Sequence, residues 1–179
     1  MLSVIKKRRS IRLFQDKRVE QEKIKQLIES ALLAPSSKGN NPWQFIVVED
    51  RNIINKLSVS KENGAKFLVG APLAIAVLAD PQQSDVWVED ASIATTFLIL
   101  TAQSLDLGSC WIQLRKRYCT DDQDSEEYVK KLLAVPDNLR VLCLIAIGYP
   151  AEIKPEKTLP EQKLKEVFLN LYGKQCNFD

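Results

Sequence analysis

Two apolar runs of strand length constrain this chain more than any other feature. Val141 to Ile147, inside "LRVLCLIAIGYP", is one uninterrupted run, and Pro72 introduces a second, "LAIAVLAD", that stops at Asp80-Pro81. Neither is long enough to span a bilayer, and both are too uniformly apolar to lie on a half-wet surface, so each reads as a buried strand. Shorter strands are predicted at Phe45–Val48 and around Cys110–Leu114.

Between these runs the apolar spacing turns helical. Glu20–Leu33 carries Ile24, Leu27, Ile28, Ala31 and Leu32 at helix spacing, and Asp50 is placed to cap a helix over Arg51–Leu57. Short helices are predicted over Leu2–Lys7, Glu62–Val69 and Ser125–Leu133, the last with Ser125 as its cap. Val86–Leu105 is the longest helical pattern. It is apolar around much of its circumference, which predicts a central, buried helix ended by Gly108. From about residue 150 the chain becomes a Pro- and Lys-rich extended arm that closes on a short amphipathic helix. The 179 residues fit one α+β domain, a small sheet of buried strands covered by helices on both faces.

Composition matters chiefly for what it excludes. A net charge of +2 is too weak to suggest nucleic acid, so functional charge must be local. With no histidine and four widely spaced cysteines, no metal site is expected. No apolar signal core follows the first lysine and no run spans a membrane, so a reducing cytoplasm is the expected setting.

The local charge lies in "KKRRSIR", which sets Lys6, Lys7, Arg8, Arg9 and Arg12 within seven residues around Ser10. It reads either as a solvated basic turn or as a phosphate clamp, in which guanidinium groups and a hydroxyl grip phosphate oxygens. Leu13 and Phe14 would pin it to the protein body, and no stacking aromatics interleave it as a nucleic-acid site would require. No glycine-rich phosphate loop follows a strand, so side chains would have to hold any phosphate. The connector "APSSKGNNPWQF", Ala34 to Phe45, is either a Ser/Asn/Gly turn or a set of donors for a flat heterocycle. Cys110 beside Trp111 reads as a packed strand thiol.

Taken in order, "RRSIRLF", "APSSKGNNPWQF", "EDASIATTFLILTAQSLDLGSCWIQLRKR" and "VPDNLRVLCLIAIGYPAE" resemble the FMN-dependent nitroreductase family from Val4 to about Gly173. The resemblance implies a nitroreductase-like fold, a central mostly antiparallel mixed sheet flanked by helices, and an intertwined homodimer with FMN at the interface. Arg8, Ser10 and Arg12 match positions that bind the FMN phosphate and ribityl oxygens, with Arg9 behind them. Pro35, Ser36 and Ser37 match a loop that meets the flavin of the other subunit. Trp111, Ile112 and Gln113 lie where the backbone passes the flavin ring, offering a main-chain N–H. Lys157 is the expected basic residue of the arm, with Lys154 and Lys163 as alternatives.

The implied activity is ping-pong hydride transfer from NADH or NADPH through FMN to a small-molecule acceptor, such as a nitroaromatic or a quinone. The alternative is a flavin-binding or storage protein with incidental turnover. No catalytic side chain is expected. The sequence departs from the pattern at Gly39, where the family usually carries asparagine; Asn40 follows one residue later. The short chain lacks the insertions that shape acceptor pockets in larger members, which implies an open acceptor site.

Overall fold

The structure is a computed structural model that describes residues 1–120 and 122–178. In chain order it runs α1 (Leu2–Lys7), α2 (Gln21–Leu32), β1 (Trp43–Val48), α3 (Arg51–Leu57), β2 (Leu73–Ala79), α4 (Trp87–Ser104) and β3 (Gly108–Gln113). A two-stranded ribbon, β4 (Tyr118–Thr120) with β5 (Gln123–Asp124), leads into α5 (Ser125–Leu132) and β6 (Arg140–Gly148).

The two apolar runs form the middle of a four-stranded sheet in the order β1-β2-β6-β3. Each side chain of β2 is buried because the sheet is covered on both faces. Leu73, Ile75 and Val77 point to one core with Leu27 of α2 and Leu98 of α4. Ala74, Ala76 and Leu78 point to a second core with Ile54 of α3 and Val129 of α5. Burying one such Leu or Ile contributes about 1.5–3 kcal/mol, so the central strand pair anchors both layers. Every pairing in this sheet is antiparallel; the parallel component expected of a mixed sheet is confined to one bridge, Ser10 to Ser109.

Several local expectations are corrected. Helix α5 is capped by Asp124, whose carboxylate accepts from the backbone N–H groups of Glu126 (2.8 Å) and Glu127 (3.1 Å). Ser125 is the first helical residue instead, since a carboxylate one position earlier reaches both orphan donors. After α4 the left-handed residue is Asp106 (φ 60°), not Gly108, which already belongs to β3. The helix predicted over 62–69 shrinks to a 3-10 turn, Lys66–Gly70, because Gly64 takes φ +87° and breaks it. Among the described residues no amphipathic helix closes the arm. A 3-10 turn (Glu161–Glu166) and a bridge from Phe168 to Gln175 stand there, with Ile153 99% and Tyr172 93% exposed. Apolar side chains with no core beneath them gain nothing from helical spacing.

Helix α4 is also less buried than expected. Trp87, Ala91, Ala94, Leu98 and Ala102 face the core, whereas Ile93 and Phe97 on the outer face are 39% and 41% exposed.

Candidate functional site

The basic segment leaves α1 in extended conformation at Arg8 and lies along the start of β3. Ile11 N–H donates to the Ser109 carbonyl at 3.0 Å, Ala151 N–H to Leu13 at 2.9 Å, and Gln15 N–H to Tyr149 at 2.9 Å. Residues 10–15 are thus stitched between β3 and the chain leaving β6. Ile11 is the buried anchor, with Phe14 half-buried beside it, while Leu13 faces solvent rather than pinning the segment. A Cβ on Gly108 would lie 2.8 Å from Ile11 Cβ, so the segment can sit this close only over a glycine.

The charges on this segment are not neutralised by carboxylates. Among the described residues Arg8, Arg9 and Arg12 make no ion pair. Arg9 donates to the Pro155 carbonyl, and the Arg12 guanidinium lies over the Phe67 ring, 5.7 Å from its centroid. The nearest carboxylate, Glu152, turns to the backbone: one of its oxygens accepts from the N–H groups of Arg12 (2.5 Å) and Leu13 (3.2 Å). Chiefly through the Arg12 N–H, that carboxyl is held below the usual glutamate range. Lys154 Nζ donates to the Ser10 carbonyl at 2.6 Å and pairs with Glu152 at 3.2 Å.

The Cys110 thiol lies beneath this cluster. Burial pushes it up, and Arg12, Lys154, a hydrogen bond with Ser10, and Arg8 draw it down. The three candidate lysines of the arm separate cleanly. Lys154 joins the cluster; Lys157 lines an apolar groove with Leu2 and Ile5 of α1, its backbone N–H donating to the Lys6 carbonyl at 2.8 Å; Lys163 pairs with Glu166 at 2.8 Å.

Beyond Ser109, β3 is an edge strand with β6 on one side only. Since Ser109 bonds outward to Ile11, alternation turns the N–H groups of Trp111 and Gln113 outward too. The Trp111 indole donates to Gln113 Oε1 at 2.9 Å, and Gln113 Nε2 to the Arg115 carbonyl at 3.0 Å. Ile112 points the opposite way, fully buried in the second core.

The loop of Pro35, Ser36 and Ser37 is built differently. The Ser36 hydroxyl donates to Asn41 Oδ1 and accepts from the Asn41 N–H, both at 2.9 Å. The Ser37 N–H donates to Asp90 Oδ1 at 2.8 Å, and Asn40 Nδ2 to the Gln83 carbonyl at 2.7 Å. Gly39 adopts φ +71°, a conformation easy for glycine and costly for most other residues. Asp90 is buried in the first turn of α4 and also accepts from the Ser84 hydroxyl at 2.7 Å. Sequence reasoning missed it, although an acidic residue on an apolar helix face is a visible signal.

Trp43, at the exit of the loop, pairs with Ala79, whereas Ser109 is across from Ile147, beside Leu73. Six residues of strand rise and three strand spacings put these corners on the order of 25 Å apart. Helix α4, about 27 Å long at 1.5 Å per residue, connects them. Its Asp90 holds the loop, and its last turns face Met1 and Val4 of α1 across a small apolar cavity. The basic segment and the loop of one chain therefore cannot touch one ligand together. Among the described residues no cluster of three metal-ligating side chains occurs, and no helix is long and apolar enough to cross a membrane.

Comparisons with known proteins bear on the family and the fold. Residues 5–149 match the model of the Nitroreductase family. A protein of Archaeoglobus fulgidus, provisionally named an NADH dehydrogenase/NAD(P)H nitroreductase, is 37% identical over 157 residues, covering 86% of this chain and 87% of that one. The FMN reductase (NADPH) of Bacillus subtilis is 27% identical over 182 residues, 90% of this chain and 70% of that one. Among solved structures, an FMN-dependent nitroreductase from Clostridium difficile R20291 superposes with a TM-score of 0.91 at 44% identity, covering 96% of this chain and 100% of that one. With its family match running through both the basic segment and the loop, this chain belongs to the nitroreductase family.

Proposed function

We propose that this oxidoreductase uses FMN to carry electrons from NADH or NADPH to nitroaromatic, quinone or similar acceptors, donor and acceptor occupying one site in turn. The observation that carries this reading is the cationic cluster of Arg8, Arg12 and Lys154, open to a ligand at the free edge of β3. The residues present fit the cofactor: a dianionic phosphate needs several cationic donors, and a ring edge needs main-chain N–H groups that nothing else occupies. Bound there, FMN would supply two-electron hydride chemistry.

In this reading Arg8, Ser10 and Arg12 bind phosphate and ribityl oxygens, with Lys154 or Lys157 completing the set from the arm. Arg9, tied to Pro155, holds the arm against the basic segment. Trp111 and Gln113 present main-chain N–H groups to the ring edge, and Ile112 fixes their direction by burying its side chain. No side chain acts as a proton donor, and solvent supplies protons.

The other half of the site comes from a second copy of the chain. Two α4 helices packed antiparallel about a two-fold axis would bring the partner's loop to the Arg8 corner. Exposed Ile93 and Phe97 and the bare apolar residues of the arm support this homodimer, since a monomer would leave them in water. Four free cysteines fit a reducing cytoplasm.

The test is spectroscopic. Protein loaded with FMN should be yellow and should bleach when mixed anaerobically with NADH or NADPH, recovering colour with a quinone. Protein that cannot be loaded, or loaded protein that neither donor bleaches, overturns the reading.

A further inference from the structure

At the far end of β3 from Ser10, Trp87, Arg115, Lys116 and Arg140 surround a pocket of about 420 Å³. The guanidinium carbons of Arg115 and Arg140 lie 5.8 and 5.7 Å from the Trp87 ring centroid. Two of the pocket's three carboxylates are engaged within the chain, and the third sits loosely beside a lysine. Asp124 caps α5. Glu126, 3% exposed, accepts from Arg140 Nε (2.6 Å) and Nη2 (2.8 Å) and from the Val141 N–H (2.9 Å). Glu127 lies 3.8 Å from Lys130. Among the described residues Arg115 and Lys116 have no carboxylate partner. Arg115 is pre-placed against an aromatic face, so ordering it for a ligand costs little side-chain entropy.

Position supplies the ligand. Arg115 lies in the turn just after β3, its N–H donating to the Leu142 carbonyl at 3.3 Å and its own carbonyl held by Gln113, with its guanidinium beside Trp87 of α4. Six residues of chain, four of them strand steps, separate it from Ser109 by at most about 20 Å. A second anion site, at the other end of β3 from the first, suits a substrate that brings its own phosphates. The nicotinamide donor does so; nitroaromatics and quinones need carry none.

We propose that the Trp87–Arg115–Lys116 pocket binds a phosphate group of NAD(P)H, making Arg115 a specificity-determining residue for the electron donor. This rests on the oxidoreductase reading above. The test is calorimetric titration of the FMN-loaded protein with 5′-ADP and with 2′,5′-ADP. Arg115→Ala should weaken binding by about tenfold or more, the loss of one charge-assisted contact. FMN retention should stay unchanged, and Arg115→Lys should recover part of the loss. Lys116→Ala, which leaves the Trp87 packing alone, should weaken binding by a smaller factor. In turnover, KM for the donor should rise with kcat held. Dependence on Arg115 for both nucleotides assigns the pyrophosphate; dependence for 2′,5′-ADP alone assigns the 2′-phosphate and a preference for NADPH. Nucleotide binding that is absent, or equal in wild type and Arg115→Ala, overturns the proposal. If the protein proves unable to hold flavin yet binds nucleotide through Arg115, the flavin reading fails and the phosphate pocket stands.

Discussion

The basic segment and the loop after α2 are both dense in polar groups, yet they handle them in opposite ways. In the loop, the Ser36 hydroxyl, the Ser37 N–H and the Asn40 amide all find partners within the chain, with buried Asp90 at the centre. In the basic segment, backbone groups are paired while the guanidinium groups of Arg8 and Arg12 are left without carboxylates among the described residues. Self-satisfied polarity fixes a shape. Unneutralised charge held on a fixed backbone is poised for a ligand, since the energy of ordering it is already met by folding.

Substitutions can sharpen or break this contrast. The largest effect should come from removing the charges: Arg8→Ala with Arg12→Ala should weaken FMN binding by about 100-fold or more, from two charge-assisted contacts, with little change in stability. A titration following flavin fluorescence measures this, and an unchanged affinity would remove the distinction between the two regions. Next, Asp90→Ala should destabilise the fold by about 2–3 kcal/mol, because the Ser37 N–H and the Ser84 hydroxyl lose a buried charged acceptor. Asp90→Asn should lose less; urea denaturation reads both.

Ser36→Ala should cost about 0.5–1.5 kcal/mol of stability and leave FMN affinity nearly as it was, its hydroxyl being turned to Asn41. A tenfold fall in affinity would instead make this hydroxyl a ligand group. The smallest effect concerns pH. The folded Glu152 carboxyl is held below its ordinary range, mainly by the Arg12 N–H, so its contribution is full above that range. It fades as pH falls through the lowered folded value. Limited proteolysis should find the arm loosening only in that acid window, and Glu152→Gln should abolish the pH dependence.

The fold was legible where one residue type does one job. The runs at 73–79 and 141–147 are apolar because both sheet faces are covered, and Asp50 caps α3 with its carboxylate bonded to the N–H groups of Asn52 and Ile53. Legibility failed where two causes leave the same mark. The outer face of α4 is as apolar as a core face, so spacing alone could not distinguish burial in the chain from exposure at Ile93 and Phe97. Asp124 and Ser125 are both good caps, and only the backbone decides between them. In the arm no periodicity separates Lys154 from Lys157, because extended chain is placed by Pro155 and Glu152 rather than by pattern. The Trp87–Arg115–Arg140 grouping joins residues from three distant stretches, which no local motif records.

Gly108 carries one further consequence. Where a methyl group would meet Ile11 at 2.8 Å, the missing side chain sets the clearance between a row of cations and the strand edge they serve. Alanine at that position would change no charge and remove no hydrogen-bonding group. It would nevertheless lever Ile11 outward and carry the flanking arginines with it. The calibre of the candidate site is thus held by an atom that is not there, and a neutral substitution could detune it as thoroughly as the loss of a charge.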